Sequence, residues 1–306
     1  MSETPALTNL LSPTFFSIVP ATSAYFGSKV ILLCDRVLQK PDRSVPSNME
    51  RTTDAPSLSS IRADFVNTRG SQLIFDLCEG RNTPRGVLRT IAAFDWSKDG
   101  ISQQLDDLQS LFIRLATCVP ATHPYIISLL QAFYHCTNKE IEHGMWGTWG
   151  MNAGDAHSAL EYDHHRAVEY VNINGFEAQL WRIMGSEMED YMWGHPVRNI
   201  ARAIEHEKPS DEFQTANAEV AAACLWMIHG SERLWALSNA NYTDNEGKDW
   251  RGDLWTGQRG YSVLRWRLWQ KRFRDVAEGR FEGVSDDTNR LAMAALTNME
   301  VVEGVE

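Results

Sequence analysis

The chain predicts an all-α domain of roughly eight to ten helices, and three observations carry that prediction. After about residue 60, apolar residues recur at steps of three and four, the period of a helix face. No stretch shows sustained strand alternation between hairpin turns, and no unit of about 20 to 50 residues repeats. With 306 residues, 43% of them hydrophobic and 11 of them tryptophan, the chain can bury a sizeable, Trp-rich core without staples.

The elements follow in order. Residues 39–60 hold Pro41, Pro46 and Pro56 among Ser, Thr, Asp and Arg, with little to bury, and read as a linker behind a short apolar element at about 15–38. The chain therefore divides into an N-terminal appendage with a Pro/Ser-rich linker, residues 1–60, and a helical domain, residues 61–306. Leu105, Leu108, Leu111, Phe112 and Leu115 fit one helix face, with Ser102 placed as its N-cap. Pro124 suits a first helical turn, and Ile126, Leu129, Leu130 and Phe133 continue that helix. Residues 144–154 read as a loop and 155–170 as one helix. Phe176, Leu180, Ile183 and Met184 mark a helix after Asn174, and Val197, Ile200, Ala201 and Ile204 mark one begun by Pro196. Val220, Cys224, Met227, Ser231 and Leu234 form a long stripe whose alanines, Ala221, Ala222 and Ala223, let a neighbour approach closely. Trp266, Trp269, Phe273 and Val276 line a helix behind the glycine-punctuated loop GDLWTGQRG, residues 252–260, and a last helix follows Asp286.

Charge and cysteine usage exclude several classes. A net charge of -11 disfavours nucleic acid as a partner, because phosphate affinity needs accumulated Lys and Arg. The longest N-terminal apolar run, residues 30–34, is too short for a signal segment or a bilayer span, so no membrane partner is expected and the protein reads as cytoplasmic. Five cysteines without a close pair read as reduced thiols. Residues 140–220 carry fifteen acidic against five basic side chains and residues 248–280 nine basic against four acidic, which marks two complementary faces or a basic patch for an anionic ligand.

Four motifs in order are similar to a fungal family, domain of unknown function 3632, over about residues 70–303. YVNINGFEAQL (170–180) resembles its Trp-Val-Asn-Leu-Asn-Ala-Phe-x-Ala-x-Leu, and residues 192–205 resemble its aromatic-rich helix ending in Ala-Leu-Glu. ACLWMIHGSERLW (223–235) resembles its Ala-x-x-Trp-Ile-x-x-x-Gly-Glu-Arg helix, and residues 252–273 its Gly-x-Leu-Trp-x-Gly-x-x-Gly followed by Arg-Trp-x-x-Trp and Phe. Tyr170, Gly175 and Ser231 depart from the pattern. The resemblance implies a helical protein in a fungal setting, some members lying beside secondary-metabolism genes, and it implies no reaction.

No nucleophile elbow, P-loop, zinc spacing or dinucleotide fingerprint is present, and no cofactor is expected. His157, Glu161, His165 and Glu169 form a ladder at steps of four, yet rungs about 6 Å apart on one straight helix cannot surround an ion. The ladder reads as a solvated, ion-paired face, and no metal is assigned. Glu232 and Arg265 sit among aromatic residues and are expected to be buried partners, since a lone buried charge is very costly. Together with Trp226, His229, Trp255 and Trp269 they make the candidate ligand pocket, His229 being its proton carrier. Two functions compete. One is binding or conversion of a small apolar metabolite in that pocket, and the other is a non-catalytic module for a protein partner through residues 241–261 and the linker.

Overall fold

The computed structural model describes residues 56–94, 101–184, 194–207, 215–243 and 250–304, and every regular element among them is helical. Most of the N-terminal appendage, residues 1–55, lies outside the described residues. The helices are α1 Leu58–Asp64, α2 Ser71–Cys78, α3 Pro84–Ala92, α4 Ile101–Cys118, α5 His123–Tyr134, α6 Lys139–Gly147, α7 Trp149–Glu161, α8 Ala167–Met184, α9 Gly194–Ile204, α10 Ala216–Asn239, α11 Val263–Ala277 and α12 Asp286–Gly304. Short 3-10 turns at Pro120–Thr122 and His164–Arg166 precede α5 and α8. Of the described helices only α1 and α2 are shorter than nine residues, too short to show a period.

The centre is α10, which packs on α8, α9, α11 and α12, while α4 joins α8 to the N-terminal helices. Ala221, Ala222 and Ala223 are wholly buried, as their small size predicts. Two glycines set how closely α8 and α10 meet. A methyl at Gly175 would stand 3.0 Å from Leu225 Cδ1, and one at Gly230 would stand 3.3 Å from the Trp181 ring. On α11, Trp266, Trp269, Phe273 and Val276 are fully buried, and the Ser262 hydroxyl caps the helix by accepting from Arg265 N. The described cysteines Cys78, Cys118, Cys136 and Cys224 are free thiols. Among the described residues no helix is long and apolar enough to cross a membrane.

Four local expectations are corrected. Residues 144–154 are the end of α6 and the start of α7, which meet at Thr148, and Gly144 is used for close packing, since a Cβ there would lie 2.6 Å from Leu105 Cδ1 of α4. The helix expected over 155–170 breaks at Tyr162, where the Asp163 carboxylate accepts from His165 N and starts a 3-10 turn. Asn174 lies inside α8 instead of before it, donating from Nδ2 to Tyr170 O. Helix α4 is already running at Ile101, so Ser102 falls within it.

Candidate functional site

The pocket expected on α10 and α11 comes together only in part. Arg265 is fully buried, but its partner is Glu205, one residue past the end of α9: Nε donates to Oε1 at 2.6 Å and Nη2 to Oε2 at 2.9 Å. Glu232 is exposed, because α10 turns its inner face through Ser231, Leu234 and Trp235. The expected Glu232–Arg265 pair is therefore not formed. Trp269 Nε1 donates to Glu205 Oε1 at 2.6 Å, Gly252 N to Oε2 at 3.1 Å, and Arg265 Nη1 to Gly260 O at 2.6 Å. The guanidinium also lies over the Trp255 and Trp269 rings, 5.8 and 5.5 Å from their centroids. This arrangement clasps α9, α11 and the glycine loop together, with each Glu205 oxygen accepting two donors.

The other pocket residues face α8. Trp226 Nε1 donates to Asn174 Oδ1 at 2.8 Å, and its ring stands edge-on to Trp181. Burial pushes the His229 imidazole down to about 3, with Arg182 and His123 adding to the effect, so it stays neutral at ordinary pH. A groove of about 900 Å³ lies elsewhere, between α3 and α5, lined by Leu88, Arg89, Gln131 and His135 among others, and none of the six pocket residues lines it.

A different polar centre lies where α7, α8 and α9 meet. The Glu177 carboxylate of α8, 2% exposed, faces two imidazoles: His195 Nδ1 of α9 at 3.1 Å and His157 Nδ1 of α7 at 3.3 Å, both measured to Oε2. The His195 contact is a hydrogen bond, whereas His157 Nδ1 is buried and makes none. Glu177 Oε1 is buried and has no hydrogen-bond partner. Burial works to raise the Glu177 carboxyl, yet the two imidazoles, His195 foremost, outweigh it and hold it down at about 2.

The surroundings fix these groups in place. Tyr170 OH donates to Asn199 Oδ1 at 2.7 Å, and Asn199 Nδ2 donates to His195 O at 2.8 Å, which ties the first turn of α9 to α8. The Tyr170 ring also stands edge-on to His157, with centroids 5.5 Å apart. One turn along, Glu161 of α7 is buried between Arg198 and Arg202 of α9, and Arg202 reaches Glu219 of α10 at 3.0 Å. His195, Arg198 and Arg202 thus share one face of α9. Arg198 lies over the Trp250 ring, 5.1 Å from its centroid.

Glu219 makes this network sensitive to pH. Burial raises its carboxyl to about 7 from a usual value of 4.5, against the pull of Arg202. The fold therefore holds this proton more tightly than the unfolded chain does. The contribution to stability is fully present below about pH 4.5 and is lost as pH rises through about 7. Glu219→Gln carries no charge to bury and should flatten the decline: in urea unfolding the wild type is expected to lose about 2 kcal/mol more than the variant between about pH 5 and pH 8. Equal slopes would show that Glu219 is ionised across that range.

Half of the ladder expected from the sequence enters this centre. His157 and Glu161 point inward, whereas His165 is exposed in the 3-10 turn and Glu169 pairs with Arg166 and Arg114. Glu177, His195, Arg198, Arg202, Glu205 and Glu219 are additions that sequence reasoning missed. Arg198 and Arg202 are spaced by four, and so are His157 and Glu161. That matched spacing is the one available signal that two helices face each other through charge.

An all-helical domain with two buried ionic centres defines the class of this protein. The family model described as Protein of unknown function (DUF3632) matches residues 110–273, more than half of the chain, and the chain belongs to that family. The match contains α5 to α10 and ends on α11, so it covers His157, Glu177, His195, Glu205 and Arg265. No curated protein and no solved structure matches the chain.

Proposed function

We propose that the protein binds or transforms a small apolar metabolite, and that its working site is the His157–Glu177–His195 centre instead of the Trp226 to Trp269 pocket expected from the sequence. One observation carries this reading. A buried carboxylate is shared by two imidazoles, keeps one oxygen without a hydrogen bond, and touches His195, whose side chain is 23% exposed. Glu205, the carboxylate of the clasp, has both oxygens saturated by contrast. Unsatisfied titratable groups beside an exposed imidazole are what a ligand site provides. The aromatic flank comes from Tyr170 and from Trp250, whose Nε1 would lie 3.4 Å from a methyl at Gly194.

The test is location by NMR. With His and Trp side chains isotopically labelled, a library of flat apolar and aromatic-carboxylate fragments should shift the His157 and His195 ring signals, and Glu177→Gln should abolish those shifts. Shifts confined to the Trp226, Trp255 and Trp269 indoles would return the site to the α10–α11 pocket. No shift at either place would overturn the small-molecule reading.

A further inference from the structure

We propose that His157, Glu177 and His195 are the protein ligands of a first-row divalent transition cation of the zinc class. The three donors come from three of the described helices and lie within 4.8 Å of one another. Their nitrogen to oxygen separations, 3.1 and 3.3 Å, lie at or just below the ligand-to-ligand edge of about 3.3–3.6 Å that a tetrahedron with bonds of about 2.0–2.2 Å requires, so small side-chain shifts would admit an ion. Each imidazole turns the same atom, Nδ1, toward the same carboxylate. A cation held by the two Nδ1 atoms and Glu177 Oε2 gives His157 Nδ1, buried and without a hydrogen bond, a partner, and it leaves the unpartnered Glu177 Oε1 beside the ion, available as a second oxygen donor.

Donor chemistry selects the ion. Two imidazoles and one carboxylate suit zinc, iron, cobalt or nickel, whereas calcium and magnesium take sets made of oxygen. Three protein ligands also leave a coordination position open, the arrangement of reactive sites and not of closed structural ones. His195 gives the entry path, being the partly exposed member of the three. Around the ligands, the Tyr170 to Asn199 to His195 O chain fixes where α9 begins, and the Tyr170 ring braces His157. The expected four-rung ladder is broken at Tyr162 and does not gather its members round one point. Only His157 of that ladder takes part, and the other two ligands come from the neighbouring helices.

The inference deepens the proposed function by naming an ion at the same centre; it rests on that reading for the ion's role and not for its binding. Full-length protein stripped with a chelator and exchanged into metal-free buffer is titrated with zinc chloride by calorimetry and with cobalt chloride by visible absorption. One equivalent should bind, with the d–d bands of a nitrogen and oxygen site of low coordination number. Glu177→Gln and His195→Ala should each weaken zinc by about 100-fold or more, while His165→Ala, on the exposed turn, leaves it unchanged. Circular dichroism melts without metal identify any variant that has lost its fold, and His195→Asn, at the partly exposed ligand, then serves as the second variant. Zinc should raise the melting temperature of the wild type and of His165→Ala only. Failure to bind one equivalent, or equal affinity in wild type and folded Glu177→Gln, overturns the site. Binding of zinc with no fragment shift at His157 and His195 would keep this inference and sink the small-molecule reading; the reverse pattern would do the opposite.

Discussion

Arg265→Met is expected to destabilise the protein by about 3–5 kcal/mol, far more than the loss of an exposed charge, because it leaves the Glu205 carboxylate buried without its counter-ion. Both side chains are 0% exposed, so water cannot replace the guanidinium. The Trp269 and Gly252 N–H groups would remain as donors, which is too little to hold a full charge. Urea unfolding followed by tryptophan fluorescence gives the free energy directly. The double variant Glu205→Met with Arg265→Met still strands the Trp269 and Gly252 donors, so it should carry a cost, yet at least about 2 kcal/mol less than the sum of the two single losses. Glu232→Ala serves as the contrast. Its side chain is exposed, and its removal should change stability by less than about 0.5 kcal/mol. Additive losses at 205 and 265, or coupling of Arg265 to Glu232, would show that the clasp is wrongly assigned.

The contrast between those pairs shows how far a sequence of this kind can be read. The helices are legible because their apolar stripes repeat: Trp266, Trp269, Phe273 and Val276 announce a buried face, and all four are buried. That Arg265 needs a buried partner is legible too, since it stands beside those residues. The partner is not, because a period fixes which face of a helix points inward and says nothing about which distant carboxylate meets it there. Glu232 and Glu205 are both glutamates in family-like motifs, and only the packing of α9 against α11 separates them. The polar centre escapes in the same way and for a second reason. Spacing alone continues the ladder from His157 to Glu169 through Tyr162, where the Asp163 turn ends α7, and so places its lower half on the wrong surface. Glu177 and His195 carry no local pattern at all. They meet His157 only after three helices have packed, the kind of coincidence that one chain without an alignment does not display.

The glycine loop is the most conspicuous feature of the sequence, and Gly260→Ala should show what it is for. Gly260 has φ of +72°, and an added Cβ would stand 2.3 Å from Tyr242 O and 3.0 Å from Thr243 Cα, both backbone atoms. The carbonyl cannot retreat freely, because it accepts a hydrogen bond from Tyr261 N at 2.8 Å, and the Tyr261 ring is buried against Trp269. Movement of residue 260 would also disturb the carbonyl that receives Arg265 Nη1. Gly279 provides the control, since its φ of +69° is nearly the same but the nearest atom to an added Cβ is Asn289 Nδ2 at 3.8 Å. Gly279→Ala should therefore cost only the left-handed backbone term, about 1–2 kcal/mol, whereas Gly260→Ala should cost about 3 kcal/mol or more by adding collision and a loosened clasp. Combining Gly260→Ala with Arg265→Met should cost less than the sum, because both act on one contact. Equal losses at 260 and 279 would mean that only the backbone angle matters, and that the loop's close approach to Tyr242 contributes nothing to holding Glu205 and Arg265 together.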